Sequence, residues 1–297
     1  MESSLPIKLD CTEVFRALEL ENEKPPSTFS RIYASFLRRA KIRWNYKVWI
    51  VFDFASTIIS IFTYYLLSFI VTNEQIVFAG YAGTYFAFAL IGVSFDHFIS
   101  ASIRSLGRTL RLEQYYGTLE SVVSTETSIS TVFLGDFFYY FVYSIIFMIV
   151  GLSLGYVLGA GIILNIPIIL QSAVIIILMV LSHLPIGLLS AAMILKYKQG
   201  NPISWALTWI NQFFSGAFFP IHLMPHYLRV ISYVLPLTFS LDALRRVFIN
   251  GESIFSVYVS EDILFMTVYS LIMLPLAFFI FNKMYNNVRK EGTIGAY

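Results

Sequence analysis

Eight polar side chains interrupt stretches of this sequence that are otherwise apolar: Asp53, Asp96, His97, Asp136, Gln171, His183, Asn211 and Gln212. Ionisable groups in apolar surroundings are costly, so each invites a reading as proton carrier, metal ligand or contact to a polar cargo. Spacing decides against the first two, because no set of Asp, Glu and His has the separations of a proton relay or a metal site. Asp53 and Asp136 each lie one turn into an apolar run, within reach of interfacial water or of Lys47 and Arg43. Asp96 and His97 end another run at the same boundary, and all four read first as boundary residues. Gln171, His183, Asn211 and Gln212 lie deeper, where neutral polar groups more often hold helices together than bind cargo. Asn211 and Gln212 are the best candidates to line a passage, because they lead straight into a stretch broken by proline.

Groups that do covalent chemistry are missing. The sequence has no G-x-x-x-x-G-K-[ST] and no Gly-Lys pair, so it has no loop to cradle ATP phosphates; metal and cofactor sites are likewise not expected on this chain. G-x-S-x-G and H-E-x-x-H are absent too, which argues against an intramembrane hydrolase. The single cysteine, Cys11, rules out a disulfide framework and a multi-cysteine metal site.

The elements that position the polar groups follow from composition. Of 297 residues, 57% are hydrophobic and 13% charged, against about a quarter charged in a soluble domain. An all-α polytopic membrane protein is expected, with a six-span transmembrane domain over 48–283. The spans fall at roughly 48–71, 76–98, 131–158, 166–193, 203–220 and 262–283. Each approaches or exceeds the ~20 apolar residues a crossing helix needs, apart from the short fifth. With the N-terminus inside, inner segments hold 17 Lys and Arg, and outer segments hold only Arg229, Arg245 and Arg246. That bias places both termini in the cytoplasm. Residues 1–27 are polar, end in Pro25-Pro26 and have no apolar core of a signal peptide, so they read as a cytoplasmic tail, as do 284–297.

Two polar segments carry patterns of their own. Over 28–47, Phe29, Ile32, Tyr33, Phe36, Leu37, Ala40 and Trp44 form one helical stripe, while Arg31, Arg38, Arg39, Lys41 and Arg43 occupy most of the rest. An interfacial amphipathic helix is expected, its cations meeting anionic lipid rather than nucleic acid. In the inner loop 99–130, Ile103, Leu106 and Leu110 recur at helical spacing with Arg104, Arg108 and Arg111 on the other side, before a turn at Gly117.

The most informative stretch is Asn211–Gly251, which Pro220, Pro225 and Pro236 cut into short pieces. Between Pro225 and Pro236, Tyr227, Val230, Ile231 and Val234 recur at helical spacing in a piece of about ten residues, too short at ~1.5 Å per residue to cross a ~30 Å core. A second amphipathic piece carries Phe239, Leu244, Val247 and Phe248 and stops at Gly251. Broken backbone at membrane depth survives only against protein or beside water. Segment 220–261 therefore reads as a re-entrant outer plug.

Phe214-Ser215-Gly216, Phe218-Phe219-Pro220, Met224-Pro225, Leu235-Pro236-Leu237-Thr238 and Asp242-Ala243-Leu244-Arg245 resemble, in order and spacing, the signature of type-2 ABC exporter permeases. Glu113, Gly117-Thr118-Leu119-Glu120 and Ser124-Thr125 resemble that family's cytoplasmic coupling segment, although Glu126 stands where the family commonly has proline. The resemblance implies a homodimer, or a heterodimer with a sister permease, bound to two ATPase subunits that hold the ATP and Mg. It implies coupling to the ATPase through Arg104, Arg108, Arg111, Glu113, Gly117 and Glu120, and no catalytic residue on this chain. A passage lined or gated by Asn211, Gln212, Phe214, Pro220, Pro225, Tyr227, Val230, Val234 and Pro236 is expected, for an apolar or amphiphilic cargo such as a drug-like molecule, lipid, glycolipid or peptide. An ion-driven secondary transporter would call for deep paired carboxylates and an internal repeat, and a membrane scaffold would need no coupling loop.

Overall fold

The computed structural model describes residues 27–71, 73–115, 117, 129–197 and 201–290, and all regular structure among them is helical. In chain order the helices are α1 (Thr28–Asn45), α2 (Lys47–Leu67), α3 (Glu74–Phe78), α4 (Tyr85–Tyr115), α5 (Ile129–Val157), α6 (Ile166–Tyr197), α7 (Asn201–Phe214), α8 (His226–Ser232), α9 (Pro236–Arg245) and α10 (Val257–Lys290). A single 3-10 turn, Ile221–Leu223, precedes α8, and a π turn, Arg246–Asn250, follows α9. Helices α2, α4, α5, α6 and α10 are long and apolar enough to cross a bilayer. The bent pair His226–Ser232 and Pro236–Asn250, folded by 86°, makes a sixth crossing if counted as one span. The fifth expected span is helical only as far as Phe214, so α7 is a half-length helix that leads into the broken stretch.

Helix α4 is the axis of the bundle. Of its most apolar window, 83% is buried, against 11% for α2. Phe95, Phe98, Ile99 and Ile103 fill the core between α5, α6 and α9. Its boundaries differ from those expected. The run from 76 is interrupted at Gly80, where φ is 88°, and the helix restarts behind Thr84, whose hydroxyl accepts from the Ala87 N–H at 3.2 Å. No breaker follows Phe98, so the helix continues through the basic segment to Tyr115. Leu106 and Leu110 hold that extension against Ala191, Ile194 and Leu195 of α6. Close approach to the broken stretch is allowed by Gly92, where a Cβ would overlap the Ala217 carbonyl oxygen.

Helix α1 starts at Ser27, whose hydroxyl accepts from the Ser30 N–H at 3.2 Å. Its aromatic residues Phe29, Tyr33 and Trp44 point away from the protein, in keeping with the expected stripe. The expectation that its arginines meet lipid fails for three of them. Arg39 is 6% exposed and pairs with Asp136 of α5, which is fully buried. Thr109 of α4 completes the cluster by donating to the same carboxylate at 2.6 Å. Burial alone would lower the Arg39 pKa, but Asp136 more than offsets it and holds it above the usual guanidinium value. Arg38 reaches Glu113 of α4 at 2.7 Å, and Arg43 pairs with Asp53 of α2. Asp136 therefore meets neither interfacial water nor Lys47 or Arg43, whereas Asp53 does meet Arg43.

A buried pair broken on one side leaves an uncompensated charge, which costs about 3–5 kcal/mol. Asp136→Ala is expected to destabilise the detergent-solubilised protein by that order, read from its unfolding transition. The double variant R39L/D136L is expected to recover most of the loss. Equal loss in both would show that the pair contributes nothing beyond its packing volume.

Candidate functional site

A cleft of about 730 Å³ opens among α2, α4, α5 and α7. Each wall is a polar stripe at helical spacing, and so faces the same way along its helix. Asp53, Thr57, Ser60 and Tyr64 come from α2; Asp96, Ser100, Arg104 and Arg108, four apart, from α4; Tyr140, Tyr143 and Ser144 from α5; and Trp209 and Gln212 from α7. The far faces of these helices are apolar, and α2 exposes Val51, Phe52, Ile59, Phe62 and Leu66 on its own.

Charge in the cleft is unevenly satisfied. Asp53 takes Arg43 and the Tyr143 hydroxyl, the latter at 2.9 Å. Asp96 accepts from the Gln212 amide and, at 3.5 Å, from the Ser100 hydroxyl. It lines the cleft. His97 lies 3.1 Å from the Thr57 hydroxyl and stacks on Phe147. Arg104 donates to the Ser100 hydroxyl at 2.6 Å, while its Nε is buried with no partner. Arg108 stands exposed, its guanidinium 5.7 Å from the Tyr140 ring centre.

At one end of the cleft lining Tyr64 stacks flat on Phe218, with centroids 5.7 Å apart and planes 6° from parallel. Phe218 is aimed there by the break after α7. Gly216 takes φ 75°, a conformation in which a side chain is strained, and Tyr85 donates to the Phe218 carbonyl at 3.1 Å. Arg245 holds the break from behind. Although expected among outer-loop cations, it is 3% exposed. It donates to the carbonyls of Gly216 at 3.0 Å, Ala217 at 2.8 Å and Phe88 at 3.2 Å, and its guanidinium lies 3.4 Å from the Phe88 ring centre. Beyond it, Asp242 takes Arg246 at 3.0 Å and the Tyr81 hydroxyl. Burial first, and Asp242 next, push the Tyr81 phenol well above its ordinary pKa.

The residues singled out from the sequence are distributed as follows. Gln212, Arg104 and Arg108 meet in the cleft. Asn211, one residue from Gln212, is turned into the bundle, and both atoms of its amide are buried without a partner. Phe214 is half-buried and Phe213 stands edge-on to it. Pro220 and Pro236 are buried at the corners of the break, whereas Pro225 is exposed before α8. Tyr227, Val230 and Val234 are 74%, 59% and 63% exposed on the surface of the broken end. They do not reach the cleft. Arg111 is half-buried near the end of α4, Glu113 is held by Arg38, and Gly117 takes φ 67° in open space. Glu120 lies outside the described residues. Of the deeper polar groups, Gln171 accepts the Ile254 N–H at 3.0 Å, and His183 contacts the Met179 carbonyl within its own helix. Trp49 was not singled out, and Arg245 entered only as an outer cation and a motif residue. The four-residue recurrence of polar groups on α2 and α4 is the signal that finds the cleft.

Among the described residues no group of three or more His, Cys, Asp and Glu is arranged to hold a metal ion. What the arrangement offers is a polar cleft between apolar helices, with one aromatic pair in its lining. No curated protein matches the sequence. Residues 117–279 match the family model described as ABC-2 family transporter protein, a stretch that takes in Gly117, α5 to α9 and most of α10. That match covers more than half of the chain, which therefore belongs to the ABC-2 transporter family, as a multi-pass membrane permease subunit and not the ATPase.

Proposed function

We propose that this chain is the permease subunit of an ATP-driven exporter, and that the cleft capped by Tyr64 and Phe218 is its passage. The observation that carries the reading is the cleft itself: polar groups of four helices converge in a permease-family chain, with an aromatic stack at one end of the lining. Its mixed lining of charges, hydroxyls and aromatic rings suits an apolar or amphiphilic substrate, of which drug-like molecules, lipids, glycolipids and peptides are the classes. Family membership supports a partner ATPase, present in two copies that hold ATP and Mg.

The count of 17 Lys and Arg against three supports a cytoplasmic end where α1 and the C-terminus of α4 meet, in the cell membrane, with both termini inside. The end of α4 from Arg111 to Gly117 would then stand where an ATPase docks. The Arg38–Glu113 pair ties it to α1, so a push on one is transmitted to the other. The broken segment would form the outer mouth. Its exposed Tyr227, Val230 and Val234, with the lipid-length apolar face of α2, suit a second copy of the chain across a two-fold axis.

Topology is checked in a Cys11→Ser background. Ser253→Cys is expected to react with an impermeant thiol reagent in intact cells, and Tyr197→Cys only after permeabilisation; the reverse pattern overturns the orientation. Coupling is checked at Gly117, where a side chain has room but the left-handed backbone costs about 1–2 kcal/mol. Gly117→Val is expected to insert and assemble normally while losing severalfold in substrate moved per ATP hydrolysed. Unchanged transport would remove this turn from the coupling path.

A further inference from the structure

We infer that Arg104 and Arg108 form the subsite for the anionic group of the substrate, so that the cargo is an anionic amphiphile carrying a phosphate headgroup. The inference rests on the cleft being the passage, and deepens that reading.

Three arginines and two aspartates line the cleft. Arg43 is used by Asp53, and Asp96, held by the Gln212 amide, faces Arg104 across the Ser100 hydroxyl that both contact. Three guanidiniums against two carboxylates leave one positive charge in excess, on the Arg104 and Arg108 pair. Among the described residues neither forms an ion pair. They lie four residues apart on α4, and like charges at that spacing repel one another. The buried Nε of Arg104 has no acceptor, and neither does the buried hydroxyl of Ser105 beside it. An excess guanidinium in a cleft between apolar helices is costly, unless the place it faces receives an anion for part of the working cycle. Guanidinium forks match the oxygens of a phosphate in pairs, which an ammonium does not.

The rest of the ligand is set by what continues from that pair. Trp49, Tyr140, Tyr143 and Trp209 share the cleft with Arg104 and Arg108, and Tyr64 and Phe218 stack at one end of its lining. An anion alone would use two residues of this wall. An alkyl or aryl tail attached to it would cover the aromatic ones. Entry from the bilayer is open, because α2 and α7 each pack on α4 but not extensively on one another, and Trp49 and Trp209 are exposed on those two helices.

The test uses the full-length permease purified in a maltoside detergent, with dodecyl phosphate as probe and quenching of the native tryptophan fluorescence as readout. Saturable quenching is expected, with inorganic phosphate and dodecanol each binding far more weakly. Arg104→Gln with Arg108→Gln is expected to weaken dodecyl phosphate binding at least tenfold, the size of a lost charge-assisted hydrogen-bonded contact. Should that pair fail to fold, Arg108→Gln alone serves, since Arg108 is exposed and supports no described contact except the Tyr140 ring. Unchanged affinity in the variants, equal affinity for dodecanol, or inorganic phosphate binding as tightly as dodecyl phosphate would each overturn the inference. So would loss of ATPase co-purification with binding intact, which would make the two arginines docking residues. Because binding is read without transport, a failed subsite is distinguishable from a chain that is not a permease.

Discussion

Everything at the broken end of this protein depends on one guanidinium. A helix interrupted at membrane depth leaves carbonyl groups that water cannot reach, and each costs several kcal/mol unless something donates to it. Arg245 donates to three, two at the break and one on the first turn of α4. Only a planar fork of five donors can serve carbonyls that point from different segments; a lysine in the same place would be a point charge on a flexible stem. The cation is itself sustained by the face of Phe88 and shares a small cavity with Asp242 and Tyr81. With the break fixed in this way, Phe218 projects onto Tyr64 at one end of the cleft lining. The motif Asp242-Ala243-Leu244-Arg245 and the motif Phe214-Ser215-Gly216 thus form one device, since the second makes the break and the first completes its hydrogen bonds.

The opposite end is organised by charge pairing. Three arginines of α1 are matched to carboxylates on α2, α4 and α5, which turns a helix built to lie at a lipid surface into a strap across the bundle. Pairing is close to complete there, and that makes the two unmatched arginines on α4 conspicuous. The same helix carries the core on one side and the cleft on the other. A displacement of its end is therefore felt along the whole wall.

Much of this architecture can be read from the chain. Apolar run length places α2, α5, α6 and α10, and three prolines mark where the helix pattern fails. The second span was misplaced because Gly80, Gly83 and Thr84 look like part of an apolar run, and because Arg104 and Arg108 look like loop charges. Both arginines are helical and line the cleft, Arg104 half-buried and Arg108 exposed. The partners of Arg38, Arg39 and Arg245 were not legible, because none is a helical neighbour in sequence: Arg39 meets Thr109 at a separation of 70, and Arg245 meets Gly216, Ala217 and Phe88 at separations of 29, 28 and 157. A one-dimensional pattern shows that a cation is present at the edge of a span. It does not show whether that cation faces lipid, water or a carbonyl group.

The central claim is that the cleft is a passage with its stop at Tyr64 and Phe218. The most direct measurement places a single cysteine at Ser60, in the middle of the α2 wall, in a Cys11→Ser background of the assembled complex. Its reaction with an impermeant thiol reagent is then followed from the side of the broken segment, with and without ATP and Mg. The account predicts slow reaction at rest, fast reaction during hydrolysis, and fast reaction under both conditions once Phe218→Ala removes the stack. A rate independent of ATP and unmoved by Phe218→Ala would contradict it.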